Sequence, residues 1–371
     1  MPHLETDQAW IDGAAVPLQS AIEEAARLLG SSRMPVFAGL GTDVDGARAA
    51  VVLAQRLGGV VDHMHSDALL THLDVLRDAG MMITTPTEAR VRGDLILLVG
   101  SGLLEAWPDL RERLLAAPLA SASGATKRRS VWLCPDRDEA REHESLSVQR
   151  AGEAAELPSA LAWLRARAAD HPVAPYRLAQ QLEPLVPALK GARFGVAVWS
   201  AAALDPLCAE MLCGLVSDLN RATRFTSLPL LPGDNAGGIN QACAWTTGFP
   251  VRTGFGRSDA EHDPWRFDTR RLVNAGEADC AVWISAYSGF SPEWGRAIPT
   301  IALGGADIAF KGTTPRVRIA VGRPGIDHDA VQHDAATGTL TAVAAAQPSG
   351  ALSVAEALSR ISSLLPGPTR C

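Results

Sequence analysis

The sequence predicts an α/β protein with two Rossmann-like units, each built on a parallel sheet. Short apolar segments that end in glycine or other small residues alternate with segments of helical periodicity. One of them, LILLV at 95–99, is apolar on both faces, as a buried parallel strand must be. Alternating strands and helices are typical of a parallel sheet covered by helices on both faces.

Four strand–loop–helix units follow one another along the chain. Their strands are predicted in MPVFAGLG, DLILLVGS, FGVAVWS and DCAVWIS, which begin at 34, 94, 194 and 279. A further short strand is predicted in IPTIALGG, and an amphipathic helix in LQSAIEEAARLLGSS precedes the first unit. The predicted divisions are an N-terminal segment with the leading helix at 1–33, a first α/β unit at 34–150, a helical connector at 151–189, a second α/β unit at 190–315 with a long loop at 231–268, and a strand and helix segment at 316–371.

Composition and charge exclude several classes of function. The net charge of −7, with 47% hydrophobic and 20% charged residues, is typical of a soluble protein and lacks the basic stripe of a nucleic-acid surface. No apolar run approaches the ~18 residues of a membrane span, and the N-terminus MPHLETDQAW has no signal-peptide pattern. The six cysteines form no CxxC motif. We therefore expect a cytoplasmic protein that binds neither nucleic acid nor membrane.

Three short motifs lack residues that the known binding or catalytic motifs require. The turn GLGTDVDG contains Gly39 and Gly41 but no third glycine at the spacing of a dinucleotide fingerprint, so a tight turn before a helix explains it as well. The residues around Ser101 in VGSGL do not form a nucleophile elbow. His143 and Glu144 lack the second histidine of a zincin helix.

The segment VVDHMHSDALLTH at 60–72 is dense in histidine and aspartate. If the strand GVVDHMH continues, His63 and His65 project to the same side, which is a geometry that zinc hydrolases use. The later strand ends, LLVGSG, AVWSAA and VWISAY, supply no further ligands. Two interpretations stay open: a metal site, or hydrogen-bonded histidines that order a loop.

A second dense segment, at 231–268, is rich in Gly, Asn, Trp and Arg. It shows too little apolar periodicity for a core element and is predicted to be a long loop. Such a loop either lines a ligand cleft or covers the sheet.

Two blocks of this sequence resemble the B subunit of formylmethanofuran dehydrogenases, which are molybdenum or tungsten bis-pterin enzymes of the dimethyl-sulfoxide-reductase type. The first block joins GGVVDHMHSDALL to DAGMMITTPTEARVRGDLILLVGSGLLEAWPDLRERL. The second joins NAGGINQACAWTTGFPVRTGFGRS to LVNAGEADCAVWISAY. The resemblance extends over roughly residues 20 to 345 and implies two Rossmann-like units of the dimethyl-sulfoxide-reductase and formate-dehydrogenase type.

The chain departs from active members of that family at two places. Those members begin with a cysteine module that holds an iron–sulfur cluster, whereas this sequence has no cysteine before Cys134. Their metal-ligating Cys or selenocysteine falls on Ala68 here, and the histidine after it falls on Leu69. Alanine supplies no soft ligand atom. The resemblance therefore implies a vestigial cofactor pocket with no cofactor and no catalytic residue, formed by His63, His65, Ser66, Asp67, Ala68, Asn235 and Asn240.

A cofactor-free B subunit of this kind is what the resemblance implies for the formyltransferase/hydrolase complex of methylotrophic bacteria. There it accompanies an amidohydrolase-like A subunit, a C subunit and a formyltransferase D subunit. The complex converts formyl-tetrahydromethanopterin to formate through a methanofuran-type carrier in one-carbon metabolism. The B-like chain is then expected to be a non-catalytic structural subunit.

Two other hypotheses come from different classes of function. The chain is either an active molybdenum or tungsten pterin enzyme or one with a metal site rebuilt around His63, His65 and Asp67. Alternatively it is a nucleotide-binding module, because AIEEAARLLGSSRMPVFAGLGT is also similar to the middle domain of thiamine-diphosphate enzymes.

An arginine cluster accompanies the 231–268 segment in an otherwise acidic protein. Arg252 and Arg257 are candidate contacts for a polyanionic carrier, because methanofuran-type carriers can bear glutamate chains and guanidinium groups bind carboxylates bidentately. The alternative is a solvated surface on which these arginines pair with Glu261 and Asp263.

Overall fold

A computed structural model describes residues 8–120, 127–146, 148–257, 259–305, 308, 310 and 314–366, with only the backbone at Arg257. The strands, in chain order, are β1 (Ala9–Ile11), β2 (Ala14–Val16), β3 (Pro35–Gly41), β4 (Val60–Val61), β5 (Leu95–Val99), β6 (Arg129–Leu133), β7 (Gln149–Ala151), β8 (Gly195–Ser200), β9 (Phe225–Leu230), β10 (Thr253–Arg257), β11 (Asp259–His262), β12 (Cys280–Ser285), β13 (Thr300–Gly304), β14 (Val317–Ala320), β15 (Ala330–Asp334) and β16 (Thr339–Val343).

The helices, in chain order, are α1 (Leu18–Ser31), α2 (Val44–Leu57), α3 (Ser66–Ala79), α4 (Pro86–Arg92), α5 (Leu103–Ala106), α6 (Arg137–Glu142), α7 (Leu157–Ala168), α8 (Ala179–Leu182), α9 (Leu185–Gly191), α10 (Pro206–Leu219), α11 (Ala236–Thr247), α12 (Thr269–Ala275) and α13 (Val354–Leu364). A π-helical turn lies at Arg111–Leu115 and a 3₁₀ turn at Ala154–Glu156. None of the described helices is long and apolar enough to cross a bilayer.

The chain forms two compact units, and both are discontinuous in sequence. The first contains the described residues of Met1–Ser66, Gly233–His333 and Leu340–Cys371, and the second those of Asp67–Pro232 and Asp334–Thr339. The boundaries predicted from sequence follow the chain in consecutive blocks and so divide the molecule differently. Strand pairing explains the difference: β3 pairs with β12, although more than two hundred residues separate them along the chain.

The first unit contains a nine-stranded sheet in the order β11-β10-β4-β3-β12-β13-β14-β1-β2. Its five central strands, from β4 to β14, are parallel, and the two hairpins at its edges pair antiparallel with them. In chain order the parallel strands run 2-1-3-4-5, the flavodoxin-like order, in which ligands bind where the connections diverge. That point lies between the carboxyl ends of β3 and β12.

The second unit contains a five-stranded parallel sheet in the order β7-β6-β5-β8-β9. In chain order this is 3-2-1-4-5, the Rossmann order, with its divergence point between β5 and β8. Both faces of β5 are buried: Leu95, Leu97 and Val99 pack into one core, and Ile96 and Leu98 into the other. The mixed α/β architecture with parallel-sheet units is therefore confirmed.

The 231–268 segment is not a long loop, which corrects the prediction from sequence. It contains α11 and the β10–β11 hairpin. Apolar periodicity does not reveal α11, because the buried face of this helix consists of small residues around Ile239. Two of these small residues are the glycines Gly237 and Gly238. An added methyl at Gly238 would lie 2.2 Å from the Asn235 side chain, so the glycine is required by close packing.

We predict that Gly39→Ala destabilises the protein at least twice as much as Gly13→Ala. Both glycines have positive φ, at +78° and +79°, so each substitution costs about 1–2 kcal/mol for the backbone conformation. At Gly39 the methyl would also lie 2.5 Å from the Ile284 carbonyl oxygen of β12, whereas nothing lies within 4 Å at Gly13. Urea denaturation of the two variants measures the difference, and equal losses would contradict the prediction.

Candidate functional site

The candidate site lies in the first unit, where β3, β4 and β12 end at the same edge of the sheet. Thr42 and Asp43 follow β3, Asp62 and His63 follow β4, and Ser285 ends β12. All five are buried. Buried polar groups at the carboxyl edge of parallel strands, at a divergence point, are where a ligand is expected in such a fold.

The strand predicted to run through His65 ends at Val61. The N–H groups of Asp62 and Met64 still donate to the Phe37 and Gly39 carbonyl groups of β3, at 2.9 and 3.0 Å. The chain then turns, because the N–H of His65 donates to the His63 ring instead of to a neighbouring strand. The condition for two imidazoles on one strand is therefore not met, although the ring centroids of His63 and His65 lie 5.5 Å apart.

Both ring nitrogens of His63 are occupied by backbone groups. Nδ1 accepts the N–H of His65 at 3.0 Å, so the ring proton is on Nε2, which donates to the Asp234 carbonyl oxygen at 3.1 Å. Burial, followed by the nearby charge of His65, lowers the pKa of His63 to about 4. The ring is thus neutral at pH 7 and, as folded, offers no nitrogen to a metal.

His65 forms the polar rim of the site. Its side chain is 31% exposed, and its Nε2 lies 3.4 Å from Oδ2 of Asp234, which is only 5% exposed. Burial acts to raise the pKa of Asp234, but hydrogen bonds from His65 and Ser288 and the nearby histidine charges outweigh it, and the pKa is lowered. The pair is an ion pair whenever His65 is protonated.

Asp62 is not among the site residues predicted from the sequence, and yet its carboxylate interacts with three residues through hydrogen bonds and an ion pair. Oδ1 accepts the hydroxyl of Ser66, while Oδ2 accepts the N–H and the hydroxyl of Thr269, each at 3.0 Å. The Arg252 guanidinium lies 3.5 Å away. Burial raises the pKa of Asp62 to about 6, against the opposing effects of Arg252 and the hydrogen-bond donors.

Arg252 faces the interior of the first unit. Its side chain is 11% exposed; it pairs with Asp62 at 3.5 Å and Asp268 at 3.0 Å, and donates to the Pro264 carbonyl at 2.8 Å. A solvated arginine surface is therefore not what the structure shows at this position. The side chain of Arg257 lies outside the described residues.

The two predicted asparagines connect backbone segments. Asn235 donates from Nδ2 to the Thr42 carbonyl at 2.9 Å and accepts the His333 N–H on Oδ1 at 2.8 Å. Asn240 accepts the Val251 N–H at 3.3 Å. Their amides therefore have structural partners within the first unit.

Ser66, Asp67 and Ala68 begin α3. Ser66 is buried, and besides bonding Asp62 its hydroxyl accepts the N–H of His63 at 3.0 Å. Asp67 is exposed and Ala68 half-buried, and both belong to the second unit. The helix presents a methyl group at the position that the family resemblance assigns to the metal ligand.

Two side chains lie close to Gly41 in the GLGTD turn. A methyl added to Gly41 would lie 3.0 Å from Met64 Cε and 3.4 Å from both Asp234 Oδ1 and the Cα of Ser285. Met64 and Asp234 thus lie close to the backbone of Gly41 at the divergence point of the first unit. Among the described residues, no three His, Cys, Asp or Glu side chains converge as a metal site would require.

In the corresponding turn of the second unit, VGSGL, two backbone amides bind a side chain of the same unit. The N–H groups of Gly102 and Leu103, where a Rossmann unit binds phosphate, donate to the Glu139 carboxylate at 3.0 and 3.3 Å. The chain's own carboxylate therefore takes the position of an anionic ligand.

We predict that Asp62→Asn lowers the free energy of unfolding by about 1–3 kcal/mol, because both carboxylate oxygens accept hydrogen bonds from Ser66 and Thr269, whereas an amide has one acceptor oxygen and turns its NH₂ group toward a buried donor. The matched control is Asp45→Asn, since Asp45 is exposed and pairs with Arg48 at 3.5 Å; its effect should stay below about 0.5 kcal/mol. Urea denaturation at pH 7.5 measures both. Equal effects would contradict the assignment.

The pKa of His63 predicts a pH dependence of stability. The pKa of His63 is about 4 in the folded protein, below the 6.5 of the unfolded chain, so the folded state favours the neutral ring. The contribution of His63 to the free energy of unfolding is therefore fully present above pH 6.5 and is lost as the pH falls toward 4. The difference in unfolding free energy between the wild type and His63→Gln should therefore shrink between pH 6.5 and 4. Denaturation curves across that range measure it, with His171→Gln, at an exposed position, as the control. A constant difference would contradict the prediction.

Comparisons with known proteins identify the family. The chain is 37% identical over 320 residues to the B subunit of the formyltransferase/hydrolase complex of Methylorubrum extorquens, covering 85% of each chain. It is 24% and 26% identical to the B subunits of tungsten-containing formylmethanofuran dehydrogenase 2 from Methanococcus maripaludis and Methanocaldococcus jannaschii, over 75% of this chain and 66% of each relative.

The structure agrees with a chain of the crystal structure of the formyltransferase/hydrolase complex (FhcABCD) from Methylorubrum extorquens with methylofuran. The TM-score is 0.84 at 35% sequence identity, over 96% of this chain and 98% of that chain. No protein-family model matches. The chain belongs to the family of the B subunits of formyltransferase/hydrolase complexes.

Proposed function

We propose that this chain is a non-catalytic, structural B subunit of a formyltransferase/hydrolase complex. The observation that carries the proposal is the agreement in sequence with the B subunit of such a complex, over 85% of this chain, together with the agreement in fold with a chain of such a complex, over 96% of this chain. Its partners are then the A, C and D subunits of the same assembly.

The contacts at the strand ends support a structural role. His63 uses both ring nitrogens on the backbone, and Asp62 and Asn235 each connect segments from distant parts of the chain. Ala68 has no atom that binds a metal. Groups that already satisfy one another stabilise the fold and are not free to bind a substrate.

The chemistry of the complex would then be carried by the partners. An amidohydrolase-like A subunit and a formyltransferase D subunit would move the formyl group from formyl-tetrahydromethanopterin to a methanofuran-type carrier and hydrolyse it to formate. The B subunit would hold them in place in the cytoplasm as a scaffold whose two units descend from the dimethyl-sulfoxide-reductase type. The contact of Arg252 and Arg257 with a polyanionic carrier stays a prediction, and the burial of Arg252 counts against its share of that contact.

We predict that the purified chain brings down three partner proteins and contains no molybdenum, tungsten or pterin. Affinity purification followed by elemental and pterin analysis tests this. Stoichiometric metal with pterin would overturn the structural role, because it would require a ligand that the assignment of Ala68 does not supply.

The double variant His63→Ala/His65→Ala extends the same experiment. A structural role predicts loss of thermal stability and of partner recovery together, because the backbone bonds of the His63 ring and the contact of His65 with Asp234 are removed. His171→Ala, at an exposed position of the second unit, is the control and should leave both unchanged. Full assembly with loss of activity would instead indicate a catalytic site at the histidines.

A further inference from the structure

The strand β9 forms one edge of the five-stranded sheet of the second unit. The Leu230 carbonyl accepts the N–H of Ala201, which follows β8, so the even-numbered residues of β9 face β8. The backbone groups of Phe225, Ser227 and Pro229 therefore face outward, away from the sheet. Outward groups on such an edge can pair with another chain unless they are covered.

Two of these outward positions are dealt with close to β9 itself. The side chain of Asn220 donates to the Phe225 carbonyl and accepts the Phe225 N–H at 3.1 Å. Pro229 has no N–H and so leaves no donor at the edge, which is where proline is tolerated in a sheet. The third outward residue, Ser227, needs a partner from elsewhere in the chain.

An extended segment at 81–85 supplies that partner. Ser227 donates to the Met82 carbonyl at 2.6 Å and accepts the Thr84 N–H at 3.0 Å. In this parallel pairing the backbone of Ile83, which lies between those two residues, faces the opposite side. Its N–H and carbonyl have no hydrogen-bond partner among the residues that the structure describes. The open edge of the sheet is thus at Ile83.

The side chains at this edge are apolar. Met82 is 48% exposed and Ile83 is 50% exposed. Within the described part of the second unit, three of the four exposed large apolar side chains are those of Leu76, Met82 and Ile83, and the fourth is that of Leu207. Residues 79–87 include no charged side chain, although exposed edges commonly carry charges that prevent pairing. An unprotected apolar edge of this kind indicates an interaction surface.

We propose that an extended segment of a partner subunit adds to this edge as a further strand and bonds the N–H and the carbonyl of Ile83. Strand addition derives affinity from main-chain hydrogen bonds and selectivity from the side chains beside them. The added strand carries apolar side chains on both of its faces, because Met82 and Ile83 point to opposite faces of the sheet. The inference rests on the proposed function, which supplies the A, C and D subunits as the source of the strand.

Hydrogen exchange of backbone amides tests the added strand, by comparison of the full-length chain alone with the complex purified from it. The Ile83 N–H is unbonded in the chain as described and should exchange about tenfold or more slowly once the partner strand is bound. The peptide that contains Leu207 is the reference, since this residue is exposed in the same unit but lies outside the edge, and its exchange should not change.

Two variants test the same contact through assembly. Ile83→Pro removes the outward N–H and leaves the bonds of Ser227 in place, while Ile83→Asp puts a charge on the edge. Each should lower the amount of partner recovered with the chain by about tenfold or more. Leu207→Asp, at a 61% exposed position, is the matched control and should leave recovery unchanged. Thermal melting checks folding; if Ile83→Pro is unfolded, Ile83→Asp alone decides.

Each outcome has a separate meaning. Slower exchange at Ile83 in the complex, with recovery lost in the Ile83 variants and kept in Leu207→Asp, supports the added strand. Partners recovered with unchanged exchange at Ile83, or recovered fully by a folded Ile83 variant, overturn the added strand and leave the proposed function intact. A wild-type chain that recovers no partner overturns the proposed function itself. Slower exchange at Ile83 in the chain alone as its concentration rises would mean pairing between two copies and would overturn the assignment to a partner subunit.

Discussion

A single buried carboxylate, that of Asp62, joins three parts of the first unit that are far apart in sequence. It accepts hydrogen bonds from Ser66 at the start of α3 and from Thr269 at the start of α12, and it lies beside Arg252, which precedes β10. An ionised carboxylate inside a protein is tolerated only with such partners. The end of β4, the edge hairpin and α12 therefore depend on one charged group.

Each unit also places its own side chains near the point where a parallel sheet of its strand order is expected to bind a ligand. At the GLGTD turn Met64 and Asp234 lie close to Gly41, and at the VGSGL turn the amides of Gly102 and Leu103 donate to Glu139. At the VGSGL turn the physical requirement is that helix N-terminal amides need acceptors, and Glu139 supplies them. This agrees with the structural role proposed for the chain.

Much of the candidate site can be located from the sequence, but the interactions of its residues cannot. The density of His63, His65 and their neighbours indicates the right strand end, and Ala68 is recognised through the family resemblance. The hydrogen bonds could not be predicted, because Asp234 and Thr269 reach this point only through strand pairing over long sequence separation. One further local signal is present in the sequence: Asp268 directly precedes Thr269 and caps α12 through the N–H of Arg271.

The sequence by itself determined the α/β class, the positions of the main strands and helices, and the family. These follow from local apolar periodicity and turn chemistry, which act between near neighbours, and from the motifs of the two family blocks. Only the tertiary structure decided that β3 belongs with β12 rather than with β5, that the 231–268 segment folds into α11 and a hairpin, and that Arg252 faces inward. The reason is physical: these outcomes depend on which buried polar and small residues from distant segments satisfy one another, and no local pattern records that pairing.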